Sequence, residues 1–330
     1  MDKVIVPSFS LKELSYGDRN WHMHKKQAQR IQVYYADFES ELDPKWRENF
    51  KKYSTRISNC GNWLAFNIHP GDFETNVFKL KSAQFCRVRY CPMCQFRRAK
   101  MNQALMLRVT DKLVKDYPTY RFLFLTLTVP NCDIIDLRET LSDMNAAFQR
   151  LTQLKRWPGV GWIKSTEVTK GKANQAHPHF HCLIMVKSSY FKSKAYIKHD
   201  NRKKGKDKSE WLQLWNQCYR SDNIEALHVT AIEKGNQDQL QKSIFEVMKY
   251  GVKEADLAKS RNWLHELTKQ THRLRFIDKG GVFKDYFREV KDEPRSLIFK
   301  DEDDFDRADS SFDEWFFSWD KKEQDYLFKY

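Results

Sequence analysis

The stretch His177-Pro-His-Phe-His-Cys-Leu-Ile-Met-Val186 decides the fold, because histidines and apolar residues alternate along its first half with a period of two. In an extended strand every second side chain points to the same face of the sheet. His177, His179 and His181 therefore share one face, while Phe180 lies on the other. Neighbouring imidazoles on this face are about 7 Å apart along the strand and can converge on one divalent ion. The pattern predicts a strand that carries a metal site.

A second strand, Gly161-Trp-Ile-Lys-Ser-Thr-Glu-Val-Thr169, precedes the histidine strand and is joined to it by a short turn. If that turn is centred near Ala173, Glu167 lies opposite His179 in an antiparallel hairpin. A carboxylate beside two imidazoles forms a mixed nitrogen and oxygen site that suits Mg²⁺ or Mn²⁺. We therefore predict that Glu167 joins His179 and His181 as a ligand. The alternative is that this glutamate is an ordinary cross-strand partner of a lysine or histidine.

Elements on either side of this hairpin predict a sheet with helices packed against it. Alternating β-branched and aromatic residues indicate strands, and apolar residues three or four positions apart indicate helices. In chain order the predicted elements are a helix at Arg97–Tyr117, a strand at Arg121–Val129, a helix at 136–155, the hairpin, a short helix at Ser209–Tyr219, a strand at Ala226–Glu233 and a helix at Gln237–Lys259. This order predicts an α+β fold with an antiparallel sheet.

The overall charge indicates a polyanionic partner. The 330 residues include 58 Lys and Arg against 44 Asp and Glu, a net charge of +14, and the pI is about 9.3. Residues 301–330 carry a net charge of −7, which leaves +21 on residues 1–300. A body this basic favours binding to nucleic acid. No apolar run is long enough to span a membrane, and the first residues lack the pattern of a secretory signal. We therefore expect a cytoplasmic protein with reduced cysteines.

Six stretches stand in the following order along the chain: Cys86-Arg-Val-Arg-Tyr-Cys-Pro-Met-Cys94, Phe124-Leu-Thr-Leu-Thr128, Gly161–Thr169, His177–Leu183, Lys249-Tyr-Gly-Val-Lys253 and Phe276-Ile-Asp-Lys-Gly-Gly-Val-Phe-Lys284. Together they resemble the HUH endonuclease superfamily, and within it the rolling-circle replication initiators (Rep) of small Gram-positive plasmids. The resemblance runs from about residue 20 to about residue 290. It implies an HUH core that nicks plasmid origin DNA with a metal ion and a tyrosine, leaving a 5′-phosphotyrosine and a free 3′ hydroxyl.

Under this resemblance, Tyr250 is the nucleophile among the fourteen tyrosines of the chain. It lies in the predicted helix after the last core strand, and Lys249 and Lys253 beside it are candidate DNA-binding residues. Glu246 precedes Tyr250 by four residues, so in a helix both side chains face the same way and can reach one phosphate. Glu246 matches the glutamate of the family that activates water and so ends replication by hydrolysis. The alternative is a glutamate that only stabilises the helix.

Cys86, Cys91 and Cys94 form a C-x4-C-P-x-C pattern, which indicates a structural zinc site. Such a site needs four ligands, and the resemblance implies Cys60 as the fourth, with His69 as the alternative. A different interpretation is a group of buried thiols that hold no metal. Flanking arginines are candidate contacts to DNA phosphates; they are Arg87, Arg89, Arg97 and Arg98.

We predict four consecutive segments along the chain. They are a basic helical region at 1–58, a zinc-binding cysteine module with a linking helix at 59–118, the HUH endonuclease domain at 119–290 and an acidic tail at 291–330. The tail is expected either to be disordered or to fold on a partner. The expected partners are double- and single-stranded plasmid origin DNA and, by the resemblance, a host helicase and polymerase.

Two other functions compete with plasmid initiation. A conjugative relaxase or a single-strand transposase would use the same chemistry, but the spacing of Glu246 and Tyr250 and the length of the resemblance favour an initiator. A non-catalytic, zinc-containing DNA-binding regulator with the same fold would not require Tyr250, Glu246 and both histidines together.

Overall fold

A computed structural model describes the following residues of the chain: 9–14, 19–38, 43–70, 76–194, 196–198, 209–292 and 314–329. The chain divides into two units, of which one combines Met1–Arg98 with Arg295–Tyr330 and the other is Ala99–Pro294. This division differs from the four consecutive segments expected from the sequence, because residues from both ends of the chain fall in one unit. Each unit is described by itself below.

The helices and strands of the described residues are numbered in chain order. The helices are α1 (Leu11–Leu14), α2 (Arg19–Ala36), α3 (Pro44–Asn59), α4 (Pro92–Asp116), α5 (Leu137–Gln153), α6 (Glu210–Tyr219), α7 (Gln237–Val247), α8 (Glu254–Leu257), α9 (Arg261–Gln270) and α10 (Val282–Asp292). The strands are β1 (Trp63–Pro70), β2 (Asn76–Ala83), β3 (Arg121–Thr128), β4 (Cys132–Asp133), β5 (Gly159–Lys170), β6 (Gln175–Val186), β7 (Leu227–Ala231), β8 (Ile277–Gly281), β9 (Glu314–Asp320) and β10 (Asp325–Lys329).

The unit that contains the clustered cysteines holds a four-stranded antiparallel sheet in the order β10-β9-β1-β2. β9 pairs with β1, with Phe317 opposite Leu64. Residues 314–329 therefore differ from the expected separate tail. The reason is the alternation of apolar residues in β9, which buries Phe317 completely and brings its ring within 5.9 Å of Phe66, centroid to centroid. Most of the acidic residues of 301–330 lie at 301–313, outside the described residues.

Local sequence signals account for the helices of the same unit. The Asp43 carboxylate accepts hydrogen bonds from the backbone N–H groups of Lys45 and Trp46, at 2.9 and 3.3 Å, and so caps the start of α3, where unpaired N–H groups need an acceptor. Pro44 occupies the first helical position, where its missing N–H is not needed. α3 then packs on α2, where Tyr35 is fully buried.

The second unit is built on a six-stranded antiparallel sheet in the order β7-β3-β6-β5-β8, with β4 paired to β6 beside this path. The histidine strand β6 is central, since β3 and β5 flank it on both sides. The predicted α+β fold with an antiparallel sheet is confirmed. The predicted helix at Arg97–Tyr117 is confirmed as α4, although α4 begins five residues earlier, at Pro92.

Helices cover both faces of this sheet. On one face, Ile163 of β5 and Leu183 of β6 pack in a buried cluster with residues of α4, α7 and α10. On the other face, Phe148 of α5 meets the rings of Trp162 and Phe180 at centroid distances of 4.8 and 6.2 Å. No helix among the described residues is long and apolar enough to cross a membrane.

Candidate metal centre and nucleophile

The hairpin of β5 and β6 sets the register that brings the candidate ligands together. Glu167 is the pairing partner of His179, so the predicted register is confirmed. The turn is centred on Ala173, which adopts a left-handed φ of 51°. The N–H of Gly171 donates to the carbonyl of Gln175 at 2.8 Å and closes the turn. Because side chains alternate, Glu167 and His179 face the same side of the sheet as His181.

These three side chains form a compact buried cluster. Oε2 of Glu167 lies 3.0 Å from Nε2 of His179 and 2.9 Å from Nε2 of His181. The three residues are between 2% and 9% exposed. The other carboxylate oxygen, Oε1 of Glu167, is buried and has no hydrogen-bond partner among the described residues. A buried carboxylate oxygen without a partner is costly unless a cation binds it, and two imidazole nitrogens with a carboxylate are a donor set that divalent metal ions accept.

Neighbouring groups orient both imidazoles with Nε2 toward Glu167. Nδ1 of His181 lies 3.2 Å from the hydroxyl oxygen of Thr126 on β3. Nδ1 of His179 lies 3.3 Å from the carbonyl oxygen of His177, to which it can donate a proton. A hydrogen bond at Nδ1 fixes the ring and leaves Nε2 for a metal. His177 itself turns to Asn131, whose side-chain oxygen lies 2.7 Å from its Nδ1, and it is not part of the cluster.

The protonation states match those of metal ligands. Burial alone would raise the pKa of Glu167, but its contacts with His179, His181 and Lys249 outweigh burial and hold the pKa of this carboxyl well below its usual value. Burial lowers the pKa of His181, and the hydrogen bond to Glu167 only partly opposes that effect. The carboxylate is therefore charged and the imidazole neutral at neutral pH, as metal binding requires.

Two further residues contact this cluster: Glu246, near the end of α7, and Lys249, two residues beyond that end. Oε1 of Glu246 lies 3.5 Å from Nε2 of His181. The ammonium of Lys249 lies 2.6 Å from Oε2 of Glu167 and also contacts Oε1 of Glu246. The sequence singled out Lys249 for DNA phosphates and did not predict its contact with Glu167. No sequence signal reveals it, because the contact depends on where α7 meets β5.

Tyr250 lies outside a helix, so the interpretation that placed it with Glu246 on one helical face was wrong. α7 ends at Val247, and residues 248–253 are not helical before α8 begins. The carbonyl of Gly251 accepts a hydrogen bond of 2.8 Å from the N–H of Val168 on β5. A Cβ atom at position 251 would overlap the ring of Phe276, so only glycine allows this close approach. The backbone therefore leaves the helix to reach the edge of β5.

Tyr250, the candidate nucleophile, directly precedes Gly251. The carbonyl of Gly251 is hydrogen-bonded to Val168, which follows Glu167 on β5. Tyr250 is half-buried, and burial raises the pKa of its phenol well above the usual value. A protonated phenol in the free protein is a weak nucleophile and needs activation. Lys253 is exposed and precedes α8, where its side chain is accessible from solvent.

The four cysteines of the other unit form a second candidate metal site. The Sγ atom of Cys94 lies 3.7 Å from that of Cys60 and 3.6 Å from that of Cys86, and those of Cys91 and Cys60 are 3.6 Å apart. Four thiolates around a tetrahedral zinc ion lie about 3.8 Å from one another, given a bond of about 2.3 Å. All four cysteines are buried, so the donor set fits zinc and the structure brings Cys60 into the cluster. The side chain of His69 lies outside the described residues.

Backbone N–H groups complete the surroundings of these sulfurs. The N–H of Cys86 donates to Sγ of Cys60 at 3.3 Å, and that of Arg87 donates to Sγ of Cys94 at 3.2 Å. Hydrogen bonds from the other thiols, first of all Cys60, lower the pKa of Cys94, which favours the thiolate that binds metal. Arg87 takes a left-handed φ of 57° to make its bond, and its side chain is exposed, whereas Arg89 is half-buried.

The comparisons with known proteins agree on one family. Residues 77–327 match the family Rep_1, described as "Replication protein". A "Protein rep" of Streptococcus pneumoniae is 30% identical over 274 residues, which cover 81% of this chain and 78% of that protein. A "Protein rep" of Bacillus amyloliquefaciens is 28% identical over 89% of this chain and 90% of its own length. One of Lentilactobacillus hilgardii is 29% identical over 96% of this chain and 98% of its own. No solved structure matches the chain significantly.

Proposed function

The chain belongs to the Rep_1 family of replication proteins, and we propose that it starts rolling-circle replication of a plasmid by nicking the double-strand origin. The observation that carries this proposal is the oxygen of Glu167 toward which His179 and His181 both turn Nε2. A replication protein that only bound DNA would have no need for a buried, oriented donor set of this kind. The protein is thus a site-specific endonuclease and strand transferase of the HUH type.

The residues of this cluster would bind Mg²⁺ or Mn²⁺. Its ligands are Glu167, His179 and His181, and the unpartnered Oε1 of Glu167 supports this assignment. When bound, the ion polarises the scissile phosphate and offsets the charge that develops on it. Thr126 keeps His181 in the orientation that this role requires.

Tyr250 is the nucleophile in the first cleavage. Its phenolic oxygen forms a bond to phosphorus as the bond between phosphorus and the 3′ oxygen breaks. The phenol loses its proton and the leaving 3′ oxygen gains one, so the products are a 5′-phosphotyrosine and a free 3′ hydroxyl. A host polymerase extends that hydroxyl while a host helicase separates the strands. Close placement of the Tyr250 loop against β5 supports this role, since Gly251 is bonded beside Glu167.

Glu246 serves in the second cleavage, which ends replication. Its carboxylate accepts a proton from water, whose oxygen bonds to phosphorus as the bond to the 3′ oxygen breaks. The new 3′ hydroxyl then attacks the phosphotyrosine, and Tyr250 is released. The 3.5 Å between Glu246 and His181 supports this role, because it places the carboxylate beside the metal ligands. Hydrolysis forms no second covalent adduct.

The cysteine cluster would bind structural zinc through Cys60, Cys86, Cys91 and Cys94. Arg87 and Arg89 next to these cysteines would contact DNA phosphates, as would Lys253 beside the nucleophile. The net charge of +14 supports such contacts, and their strength should fall steeply with salt.

The test is incubation of the full chain with supercoiled plasmid that carries the replicon's own origin, with and without Mn²⁺. We expect an open circle only with Mn²⁺, and a 5′-phosphate linked to a tyrosine that peptide mapping identifies as Tyr250. An adduct on another residue would overturn the assignment of the nucleophile. Cleavage that needs no metal would overturn the role of Glu167 and the two histidines.

A further inference from the structure

A cavity of about 500 Å³ opens in the second unit between α5, β5 and the residues that precede and begin β8. Its wall includes Phe148 of α5 and Trp162 and Lys164 of β5. Arg275 and Phe276 line it from the other side. Cavities of this size, with aromatic walls and a few polar groups, are typical of sites for small ligands or single residues of a larger one.

This cavity is separate from the metal centre. Side chains alternate along β5, so Trp162 and Lys164 point to the face opposite Glu167. Contacts confirm the alternation, because Trp162 meets α5 while Ile163 packs in the cluster with α4, α7 and α10. The cavity therefore lies on the opposite face of the sheet, about 10 Å along β5 from Glu167.

Lys164 is the chemical anomaly of the cavity. It is only 4% exposed, and its ammonium lies 2.5 Å from the side-chain oxygen of Asn145 and 4.0 Å from the ring centroid of Phe180. Asp278, the pairing partner of Lys164 on β8, attracts this ammonium. Burial outweighs that attraction and lowers the pKa of Lys164, so the protein keeps a costly cation at a place where an anion can enter.

The remaining walls suit a nucleotide. Trp162 and Phe148 stand edge to face at 4.8 Å, and with Phe276 they form an aromatic wall on which a base can stack. Arg275 is exposed at the cavity wall and adds a second cation for a phosphate. Asp278 also lines the cavity, and its carboxylate can accept a hydrogen bond from the amino group of a base.

The cavity wall is joined to the loop of Tyr250. The N–H of Thr166 donates to the carbonyl of Phe276 at 2.7 Å, and two residues further along β5 the N–H of Val168 donates to Gly251. The ring of Phe276 fills the space that a side chain at position 251 would need. Phe276 therefore contacts both the cavity and the residue that follows Tyr250.

We propose that this cavity binds one nucleotide of single-stranded DNA, with its phosphate at Lys164 and Arg275 and its base against the aromatic wall. The strand then continues past Phe276 and Gly251, and a phosphate further along it reaches Tyr250. This inference rests on the proposed function, because an enzyme that nicks DNA has to hold the strand whose phosphate it cleaves. The cavity supplies binding and orientation, and the chemistry stays at the metal centre.

The first experiment measures affinity for a fluorescein-labelled single-stranded oligonucleotide by anisotropy, over a range of salt concentrations. We compare Lys164→Met and Arg275→Gln with Lys172→Met, which removes an equal charge from the exposed β5–β6 turn. Each cavity variant should bind about tenfold more weakly than the control. The slope of log affinity against log salt should become less steep by about 0.7, the loss of one phosphate contact.

The melting temperature separates binding from folding. Methionine removes the ammonium and keeps an apolar chain of similar length, so the cost of burying the charge disappears and offsets the lost hydrogen bond to Asn145; Tm of Lys164→Met should therefore change little. Arg275 is exposed, and its variant tests the cavity even if Lys164→Met does not fold. Equal affinity and salt slope in the cavity variants and in Lys172→Met would overturn the proposal.

The second experiment locates the strand directly. An oligonucleotide with 5-iodouracil in place of thymine is irradiated with the wild-type protein, and we expect crosslinks at Trp162 or Phe276. Crosslinks confined to residues outside the cavity would overturn the proposal. Thymidine monophosphate should compete only weakly with the labelled oligonucleotide for binding. If it competes as well as unlabelled oligonucleotide, the cavity is a site for free nucleotides, and the proposal is overturned. Plasmid nicking by the wild type tests the proposed function separately, since neither binding experiment requires cleavage.

Discussion

The ammonium of Lys249 lies 2.6 Å from Oε2 of Glu167, the same oxygen toward which His179 and His181 turn their Nε2 atoms. A cation of the protein thus already stands beside the carboxylate that is the candidate ligand of a metal ion. Two cations at one oxygen repel each other, so a divalent ion and the ammonium compete for this position. Glu246, which Lys249 also contacts, offers the ammonium a second carboxylate.

Replacing Lys249 by methionine should therefore strengthen metal binding. Without the competing ammonium, we expect Mn²⁺ to bind about tenfold more tightly, as measured by isothermal titration calorimetry. Lys253→Met is the matched control, because Lys253 is exposed and has the same charge; it should leave the affinity unchanged. Weaker binding of Mn²⁺ by Lys249→Met would mean that the lysine supports the metal site instead of competing with it.

Replacing Tyr250 by phenylalanine should abolish nicking. Loss of the nucleophilic oxygen should slow cleavage of supercoiled plasmid at least about a thousandfold and should remove the covalent adduct. Tyr286→Phe makes the same chemical change on α10, where the hydroxyl contacts Asp116, and should nick normally. Normal nicking by Tyr250→Phe would show that another group attacks the phosphate.

Glu246→Gln should separate initiation from termination. The amide cannot accept a proton from water, so nicking should stay within a few fold of the wild type, while hydrolytic termination is lost and multimeric single strands accumulate. Asp238→Asn on the same helix is exposed and serves as the control. Monomeric products from Glu246→Gln would return this glutamate to a structural role.

The cysteine cluster should contain one zinc ion per chain. Cys91→Ser removes one of four ligands, so the purified variant should lose zinc, as measured by elemental analysis, and its cysteine-containing unit should unfold at lower temperature. Cys218→Ser changes a buried cysteine outside the cluster and should retain the ion. Equal zinc content in the wild type and Cys91→Ser would favour the interpretation of thiols without a metal.

Asp325 should make the stability of its unit depend on pH. Burial would raise its pKa, but hydrogen bonds from Lys12 and Ser10 outweigh it and lower the pKa below the usual value. Because the folded state then binds the proton less tightly than the unfolded state, the carboxylate stabilises the fold above about pH 4. That contribution disappears as the pH falls through the folded-state pKa.

Asp325→Asn should accordingly lower the free energy of unfolding by about 1–2 kcal/mol at neutral pH and by less in acid. Thermal unfolding followed by circular dichroism at several pH values measures the difference. Glu323→Gln in the adjacent turn is exposed and should have little effect at any pH. An equal loss in Asp325→Asn at neutral and acid pH would contradict a role for the charge.

The pairing of the two central strands was predictable because it depends on local patterns. Alternation fixed the faces of His179 and His181, and the position of the turn fixed Glu167 opposite His179, since one residue of slip would turn Glu167 to the face opposite both histidines. The spacing of Cys86, Cys91 and Cys94 likewise predicted the cysteine cluster, and only the fourth cysteine, Cys60, depended on the resemblance. These features involve residues that are close in sequence or that share a repeated period.

The end of α7 was not predictable from the sequence, because its cause lies elsewhere in the chain. Apolar residues such as Val252 and Leu257 continue the helical spacing past Val247. The break comes from the bond between Gly251 and Val168 and from the ring of Phe276. At β9 the acidic composition of the preceding residues suggested a separate tail. The strand that follows them nevertheless has one buried face and pairs with β1.

The pairing of β9 with β1 also sets an order of events during synthesis. Residues 99–294 form a continuous stretch that can fold as soon as it has left the ribosome. The four-stranded sheet of the other unit needs β1 and β9, which are some 250 residues apart. A ribosome that stalls before residue 314 therefore releases the cysteine module with an unpaired edge on β1, an exposed template for aggregation. Such truncated chains should be substrates for proteolysis before they can occupy an origin.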